Sequence, residues 1–166
     1  ENSKMGNVYD YLFEEECYDQ GIKYILGVDG VGLGALFGAI HVAGVLLPVD
    51  IKLRGVYDSK QMSEKQREEA VDLINKEAKS VFLSILSVGD YNQHGPRKCE
   101  ELGAEDVINR VFNSFREKPL DPTQVKIVVD GNHSTSSLNI GMKTFISMPK
   151  ADSKVLAVGA ASVIAK

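Results

Sequence analysis

The stretch Lys23-Tyr-Ile-Leu-Gly-Val-Asp29, which runs into Gly30-Val-Gly-Leu-Gly34, decides the fold of this chain. An apolar, β-prone run that ends on an acid before a glycine series is typical of a buried strand that enters a turn. The same pattern returns in Lys126-Ile-Val-Val-Asp130, which is followed by the turn signal Gly131-Asn132. Because α/β folds collect functional groups at strand ends, these two acids are the first candidates for a site.

Helical and strand patterns alternate on either side of these two runs. Ser63 and Gln66 form a capping box, which predicts a helix over residues 63–78. Further strands are predicted at 39–47, 80–88 and 143–148, and further helices at 104–117 and 155–166. The alternation predicts one α/β domain over residues 22–166, preceded by an acidic lead-in at 1–21.

Composition narrows the class of protein. The chain has 166 residues, of which 43% are hydrophobic, and this fits one globular domain with its own core. Its formal net charge of -4 is unfavourable for nucleic-acid binding unless basic residues cluster locally. Cys17 and Cys99 have no metal-ligand spacing, as expected of reduced thiols. With no apolar run of membrane-spanning length, the sequence predicts a cytoplasmic protein without membrane attachment.

Three acids form a pattern that core packing does not require. Asp29 and Asp130 end strands, and Asp152 lies in the polar turn 150–154 before an alanine-rich helix. Clustered carboxylates are ligands for hard divalent cations such as Mg²⁺ or Mn²⁺. Two such ions roughly 4 Å apart can support phosphodiester hydrolysis. The alternative for each acid taken alone is that it caps a turn or a helix.

The glycine series also allows a dinucleotide-binding interpretation. Residues 30–35 fit G-x-G-x-x-G/A after a strand, and Asp50 follows at the expected distance. That interpretation requires a helix over residues 35–44. Gly38, Gly44 and the β-branched residues between them disfavour a helix there, so a hydride-transfer enzyme is the weaker alternative.

Four motifs together resemble the ribonuclease HII family, also called type 2 ribonuclease H. Residues 24–39 resemble its Asp-Glu and glycine-loop signature, and Asp58-Ser-Lys60 resembles its Asp-Ser-Lys motif. Residues 129–132 resemble its Asp-Gly strand end, and 150–166 its acidic turn and Ala-Ala-Ser helix. The resemblance implies a ribonuclease H-like fold, with a mixed central β-sheet flanked by α-helices. It also implies cleavage of RNA in RNA–DNA hybrids, and of single ribonucleotides in duplex DNA, with two divalent ions.

The resemblance assigns Asp29, Asp130 and Asp152 as catalytic residues that bind Mg²⁺ or Mn²⁺. The glutamate of the family's Asp-Glu pair is replaced by Gly30. Because glycine offers no oxygen to a metal, weakened ion binding and an impaired or absent endonuclease activity are expected.

Substrate contacts follow from the same resemblance. Leu33 stands where the family has an arginine, so the glycine loop lacks the N–H donors of a guanidinium group. The chain is also expected to be C-terminally short, because family members continue through further helices. The positions expected to contact substrate are Gly32, Leu33, Gly34, Asp58, Ser59, Lys60, Lys154 and Lys166.

Three functions stay open at this point. The favoured one is a degenerate ribonuclease HII relative that still binds an RNA–DNA hybrid, a ribonucleotide-containing duplex or a protein partner. The first alternative is an active Mg²⁺- or Mn²⁺-dependent nuclease, and the second is a protein-interaction module on the same fold. His133 could approach the metals, but a solvent-facing loop histidine is the favoured interpretation. His41 and His94 are expected to be structural or exposed.

Overall fold

The computed structural model describes residues 9–32, 39–134 and 136–166 of the chain. In these ranges a mixed five-stranded sheet with the strand order β3-β2-β1-β4-β5 forms the centre. The strands are β1 (Tyr24–Gly32), β2 (Ile40–Pro48), β3 (Ser80–Leu86), β4 (Val125–Asp130) and β5 (Ile146–Met148). The helices are α1 (Leu12–Asp19), α2 (Glu64–Glu77), α3 (Val88–Asn113) and α4 (Leu156–Ala165), with short 3₁₀ turns at Ser59–Gln61, Pro122–Gln124 and Ala151–Ser153.

Strand pairing brings Asp29 on β1 and Asp130 at the end of β4 together. β1 runs antiparallel to β2 and parallel to β4, and β4 in turn is parallel to β5. The β1–β4 ladder ends where Val28 lies opposite Val129, so Asp29 and Asp130 follow side by side at one edge. The prediction of an α/β fold with a mixed central sheet is therefore confirmed.

Two apolar cores cover the two faces of the sheet. Successive residues of a strand point to opposite faces, so Ile25 joins the core under α4, whereas Leu26 joins the core under α3. Helix α4 is almost entirely buried and lies directly on β1. A Cβ atom at Gly27 would lie 2.2 Å from the Ala157 carbonyl carbon, so only glycine lets the helix approach this closely. This close packing sets the position of α4 above the edge of the sheet where Asp29 and Asp130 lie, which we call the acidic edge.

Several predicted boundaries need correction. β1 continues past Asp29 to Gly32, because β2 keeps pairing with it as far as Ile40. Helix α3 begins at Val88 rather than near residue 104. Ser87 caps its first turn, and α3 consists of two segments, 88–94 and 96–113, that meet at Gly95, whose φ of 82° and ψ of 167° are not helical. The predicted helix at 63–78 is confirmed as α2, and its Ser63 capping box is present.

A buried carboxyl group connects the lead-in to the last helix. Glu14 on α1 is buried, and its Oε2 accepts a hydrogen bond of 2.8 Å from the backbone N–H of Leu156, the first residue of α4. Nearby, the Tyr9 hydroxyl donates to the carbonyl oxygen of Asp152. The division between lead-in and domain at residue 21 stays a prediction. None of the described helices is long and apolar enough to cross a membrane.

Candidate active site

The structure brings the three predicted aspartates to one edge of the sheet. Asp29 and Asp130 leave adjacent parallel strands, and Asp152 lies in the 3₁₀ turn that follows β5. That turn is tied to β4, because the Ala151 N–H donates to Asp130 Oδ1 at 2.8 Å. Asp29 Oδ1 accepts from the N–H of Gly30 at 2.9 Å. The local backbone thus holds two of the carboxylates in place.

The pKa of Asp29 is far above the usual value of an aspartate. Burial, then repulsion from the charge of Asp130 and from Asp152, raises the pKa of Asp29 to about 8. A hydrogen bond with the Ser162 hydroxyl on α4 partly offsets this rise of the pKa. Without a cation, Asp29 therefore keeps a proton at neutral pH. A bound divalent cation would favour the ionised form instead.

The Asp-Ser-Lys motif lies against the third aspartate. Lys60 Nζ is 3.0 Å from Asp152 Oδ2 and 3.7 Å from Asp58 Oδ1, and the hydrogen bond with Asp152 raises the pKa of Lys60. Asp58 also caps its own turn by accepting from the N–H of Lys60. Ser59 Oγ lies 2.8 Å from Ser162 Oγ, so the motif is joined to α4 as well. Three of the predicted substrate positions are therefore beside the aspartates.

The other predicted substrate positions are more scattered. Gly32 is exposed at the end of β1, Lys154 is exposed after the 150–153 turn, and Lys166 is exposed after α4. Leu33 and Gly34 lie outside the described residues. Within the described ranges, no hydrogen bond or ion pair joins the side chain of Lys154 or Lys166 to the three aspartates.

Gly30 lies against a residue that the sequence did not indicate. A Cβ atom at Gly30 would be 3.3 Å from Val42 Cγ2, 3.5 Å from the His41 carbonyl oxygen and 3.7 Å from Glu100 Cγ. The side chain of Glu100, on α3, therefore lies close to the space that a side chain at position 30 would enter. Glu100 belongs to no recognisable motif, and the predicted helix began after it, so only tertiary packing reveals its place.

His133 is not the solvent-facing residue that was predicted. Its side chain is only 6% exposed, and its Nδ1 lies 3.5 Å from Glu101 Oε2. The loop folds inward because the His133 N–H donates to Ser147 Oγ at 2.8 Å, and that hydroxyl donates to the carbonyl oxygen of Gly131. His41 is half-buried, with its Nδ1 3.2 Å from the Ala165 carbonyl oxygen, in agreement with a structural role.

The donor chemistry of the site fits a hard divalent cation. Asp29 and Asp130 are close enough to share a hydrogen bond, and their mutual repulsion would be relieved by a positive ion. The ligand set is nevertheless incomplete in this conformation, because Lys60 engages Asp152. In the described part of the chain, no three His, Cys, Asp or Glu side chains are arranged to hold a metal ion.

The fold and the acidic edge define a ribonuclease H-like α/β protein, and solved structures agree. Ribonuclease H2 from Pyrococcus horikoshii OT3 aligns with a TM-score of 0.64 and 27% identity, over 86% of this chain and 70% of that chain. RNase HII from Archaeoglobus fulgidus, solved in a complex with PCNA, aligns with a TM-score of 0.61 and 26% identity, over 85% and 70%. Bst-RNase HIII in complex with Mn²⁺ has a TM-score of 0.69 over 90% and 52%, but its 23% identity shows the fold alone.

Sequence comparison gives the family. The Ribonuclease HII family model matches residues 26–166. Ribonuclease HII of Ligilactobacillus salivarius (strain UCC118) is 34% identical over 166 residues, which cover 100% of this chain and 60% of that protein. Ribonuclease HII of Listeria monocytogenes serovar 1/2a is 31% identical over 154 residues, with 93% and 54% covered. The chain belongs to the ribonuclease HII family, as predicted, and spans a little over half the length of these relatives.

Proposed function

We propose that this protein binds RNA–DNA hybrids or ribonucleotide-containing duplex DNA and has a strongly reduced, metal-dependent endonuclease activity. The observation that supports the proposal is the placement of Asp29 and Asp130 side by side, directly after the last pair of the parallel β1–β4 ladder, with the Asp152 turn tied to Asp130 through Ala151. Membership of the ribonuclease HII family supports the choice of substrate class.

The three aspartates would hold Mg²⁺ or Mn²⁺. Such ions, when bound, activate water and stabilise the leaving oxygen of a phosphodiester. Asp29 and Asp130 would share one cation, and Asp29 would release its proton to do so. Lys60 neutralises Asp152 in the metal-free state, and because its side chain is largely exposed it would be able to contact a phosphate of the duplex.

The activity is reduced because position 30 contributes no oxygen ligand. An ion site with one carboxylate fewer binds its cation more weakly and positions the attacking water less well. The acidic net charge of -4 also lowers the electrostatic contribution to duplex binding. Support for a protein-interaction module is limited to that charge and to the PCNA complex of the archaeal homologue. We therefore favour the reduced nuclease.

A cleavage and binding assay tests the proposal. The full chain is incubated with a duplex that contains one ribonucleotide, with Mg²⁺ and separately with Mn²⁺, beside the variants Gly30→Glu and Asp130→Asn. We expect salt-sensitive binding in a mobility-shift assay, slow cleavage by the unmodified protein, faster cleavage by Gly30→Glu and none by Asp130→Asn. A protein that neither binds nor cuts the duplex would contradict the proposal and favour the interaction module.

A further inference from the structure

We propose that Glu100 partly replaces the carboxylate that Gly30 lacks, and that it binds a divalent cation together with Asp29 and Asp130. The inference rests on the proposed function, because it concerns the same metal site. It assigns the fourth acidic ligand to helix α3, on a different element from the strand that carries Gly30.

The first support is the position of the Glu100 side chain. Its Cγ lies 3.7 Å from where the Cβ of a residue at position 30 would be. Glu100 and Gly30 line one small hollow together with Asp29 and Asp130. The hollow has a volume of about 10 Å³, on the order of the space that a single water molecule needs. A carboxylate from α3 therefore reaches the same space that a glutamate on β1 would reach.

The second support is that α3 is held firmly over this edge. A Cβ atom at Gly103 would be 2.5 Å from Val42 Cγ2, so the helix packs against β2 in van der Waals contact one turn after Glu100. Val107, Ile108 and Val111 continue this contact in the core. The backbone of Glu100 is thus fixed, and only its side chain needs to move.

The third support comes from the partners of the neighbouring acids. Glu101 lies 3.8 Å from Arg97 Nε and 3.5 Å from His133 Nδ1, so cationic or polar groups already face it. Among the described residues, no hydrogen bond or ion pair engages the carboxylate of Glu100. Of the two adjacent glutamates, Glu100 lines the hollow and has no such close contact among the described residues.

The fourth support is a buried histidine that lines the same hollow. His133 lines the hollow and its side chain is 94% buried; its Nδ1 lies 3.5 Å from Glu101 Oε2 but makes no hydrogen bond to any described residue. Buried ring nitrogens are normally hydrogen-bonded to protein or to ordered water. A hydrated cation between Glu100 and Asp130 would bring a water molecule to this nitrogen. Because no three ligands converge in the described residues, Glu100 must rotate on binding, which its flexible side chain allows.

Titration with Mn²⁺ alone, without nucleic acid, tests the inference. Isothermal calorimetry on the full chain compares the unmodified protein with Glu100→Gln and with the matched control Glu105→Gln, which removes the same charge from the same helix. We expect Glu100→Gln to weaken Mn²⁺ binding by about 10-fold or more, and Glu105→Gln to leave it unchanged. The exchange variant Gly30→Glu/Glu100→Ala, which moves the carboxylate back to β1, is expected to regain most of the lost affinity.

Two outcomes would overturn the inference: equal Mn²⁺ affinity of Glu100→Gln and the unmodified protein, or equal losses in Glu100→Gln and Glu105→Gln. Thermal unfolding of the metal-free variants shows whether each is folded, and the exchange variant reports on the same site if Glu100→Gln is not. The same experiments distinguish a failure of the proposed function from a failure of this inference. Mn²⁺ binding that depends on Glu100 without any duplex binding supports the metal site alone, whereas cleavage that is indifferent to Glu100 supports the nuclease alone.

Discussion

Two regions of this protein each bury a carboxyl group, and the two groups have opposite surroundings. Glu14 is 5% exposed below the start of α4, and Asp29 is 7% exposed at the acidic edge. Burial is the largest cause that raises the pKa of each. The second cause differs: the N–H of Leu156 lowers the pKa of Glu14, whereas the charge of Asp130 raises that of Asp29 further.

The difference separates a structural acid from one that we propose to be functional. Glu14 lies at the amino end of α4, where unpaired N–H groups and the helix dipole stabilise an acceptor. Asp29 lies beside two further aspartates, an arrangement that lowers stability unless a cation is bound. Burial alone therefore does not indicate a catalytic acid, while burial beside like charges does.

The largest expected effect is at the acidic edge. Asp130→Asn should lower metal-dependent cleavage by about 100-fold or more, because the amide no longer offers a negative ligand to the cation. Its stability without metal should not fall, since the asparagine oxygen can still accept from the Ala151 N–H and the repulsion with Asp29 is relieved. Single-turnover cleavage with Mn²⁺ and urea unfolding measure the two effects. A folded Asp130→Asn variant that cleaves normally would remove Asp130 from the site.

Glu14→Ala should act on stability instead. The substitution leaves the Leu156 N–H without its acceptor and opens a space beneath α4, so the free energy of unfolding should fall by about 2 kcal/mol. Glu14→Gln is the control, because its side-chain oxygen can accept the same hydrogen bond and should preserve most of the stability. Urea unfolding at neutral pH compares them. Equal stability of Glu14→Ala and the unmodified protein would deny the structural role.

Asp29→Asn should stabilise the metal-free protein. With the pKa of Asp29 raised to about 8, the folded state keeps a proton that the unfolded state releases above about pH 4. Stability therefore decreases as the pH rises from about 4 to about 8. Asparagine removes this dependence and should raise the free energy of unfolding at pH 8 by at least about 1 kcal/mol. Chemical unfolding at several pH values in a chelator measures it, and an unchanged pH profile would contradict the assigned ionisation.

Lys60→Gln should have the smallest effect on stability. The side chain of Lys60 is 63% exposed, and exposed ion pairs contribute roughly 0–1 kcal/mol. Duplex affinity should nevertheless fall a few-fold, with a shallower dependence on salt, because one phosphate contact is lost. Mobility shifts over a series of salt concentrations test this. An unchanged salt dependence would mean that Lys60 pairs with Asp152 and does not contact a phosphate.

Local patterns in the sequence predicted much of the fold. The strand ending at Asp130 and the helix capped by Ser63 are encoded by neighbours in the chain, so they were found close to their bounds. The prediction started α3 at residue 104 and missed its first segment, which the non-helical backbone of Gly95 separates from the second. The signal that could have located its start was Ser87 with Asp90, which form a capping box.

Only those residues of the site that belong to a sequence motif could be predicted. Asp29, Asp130 and Asp152 were proposed from strand ends and from family resemblance, and the structure brings them to one edge. Glu100 and the burial of His133 depend on how α3 and the loop after β4 pack across the sheet. Contacts of that kind join distant parts of the chain, and no periodicity within a single segment encodes them.

The hydrogen bond from Leu156 to Glu14 joins residues separated by 142 positions, and the one from Tyr9 to Asp152 spans 143. Contacts this far apart in sequence require the closure of a long loop and therefore form slowly. During synthesis, α1 cannot reach its partner until residue 156 has left the ribosome. The acidic edge is thus completed late, and for most of its synthesis the nascent chain carries Asp29 without the helix that covers it.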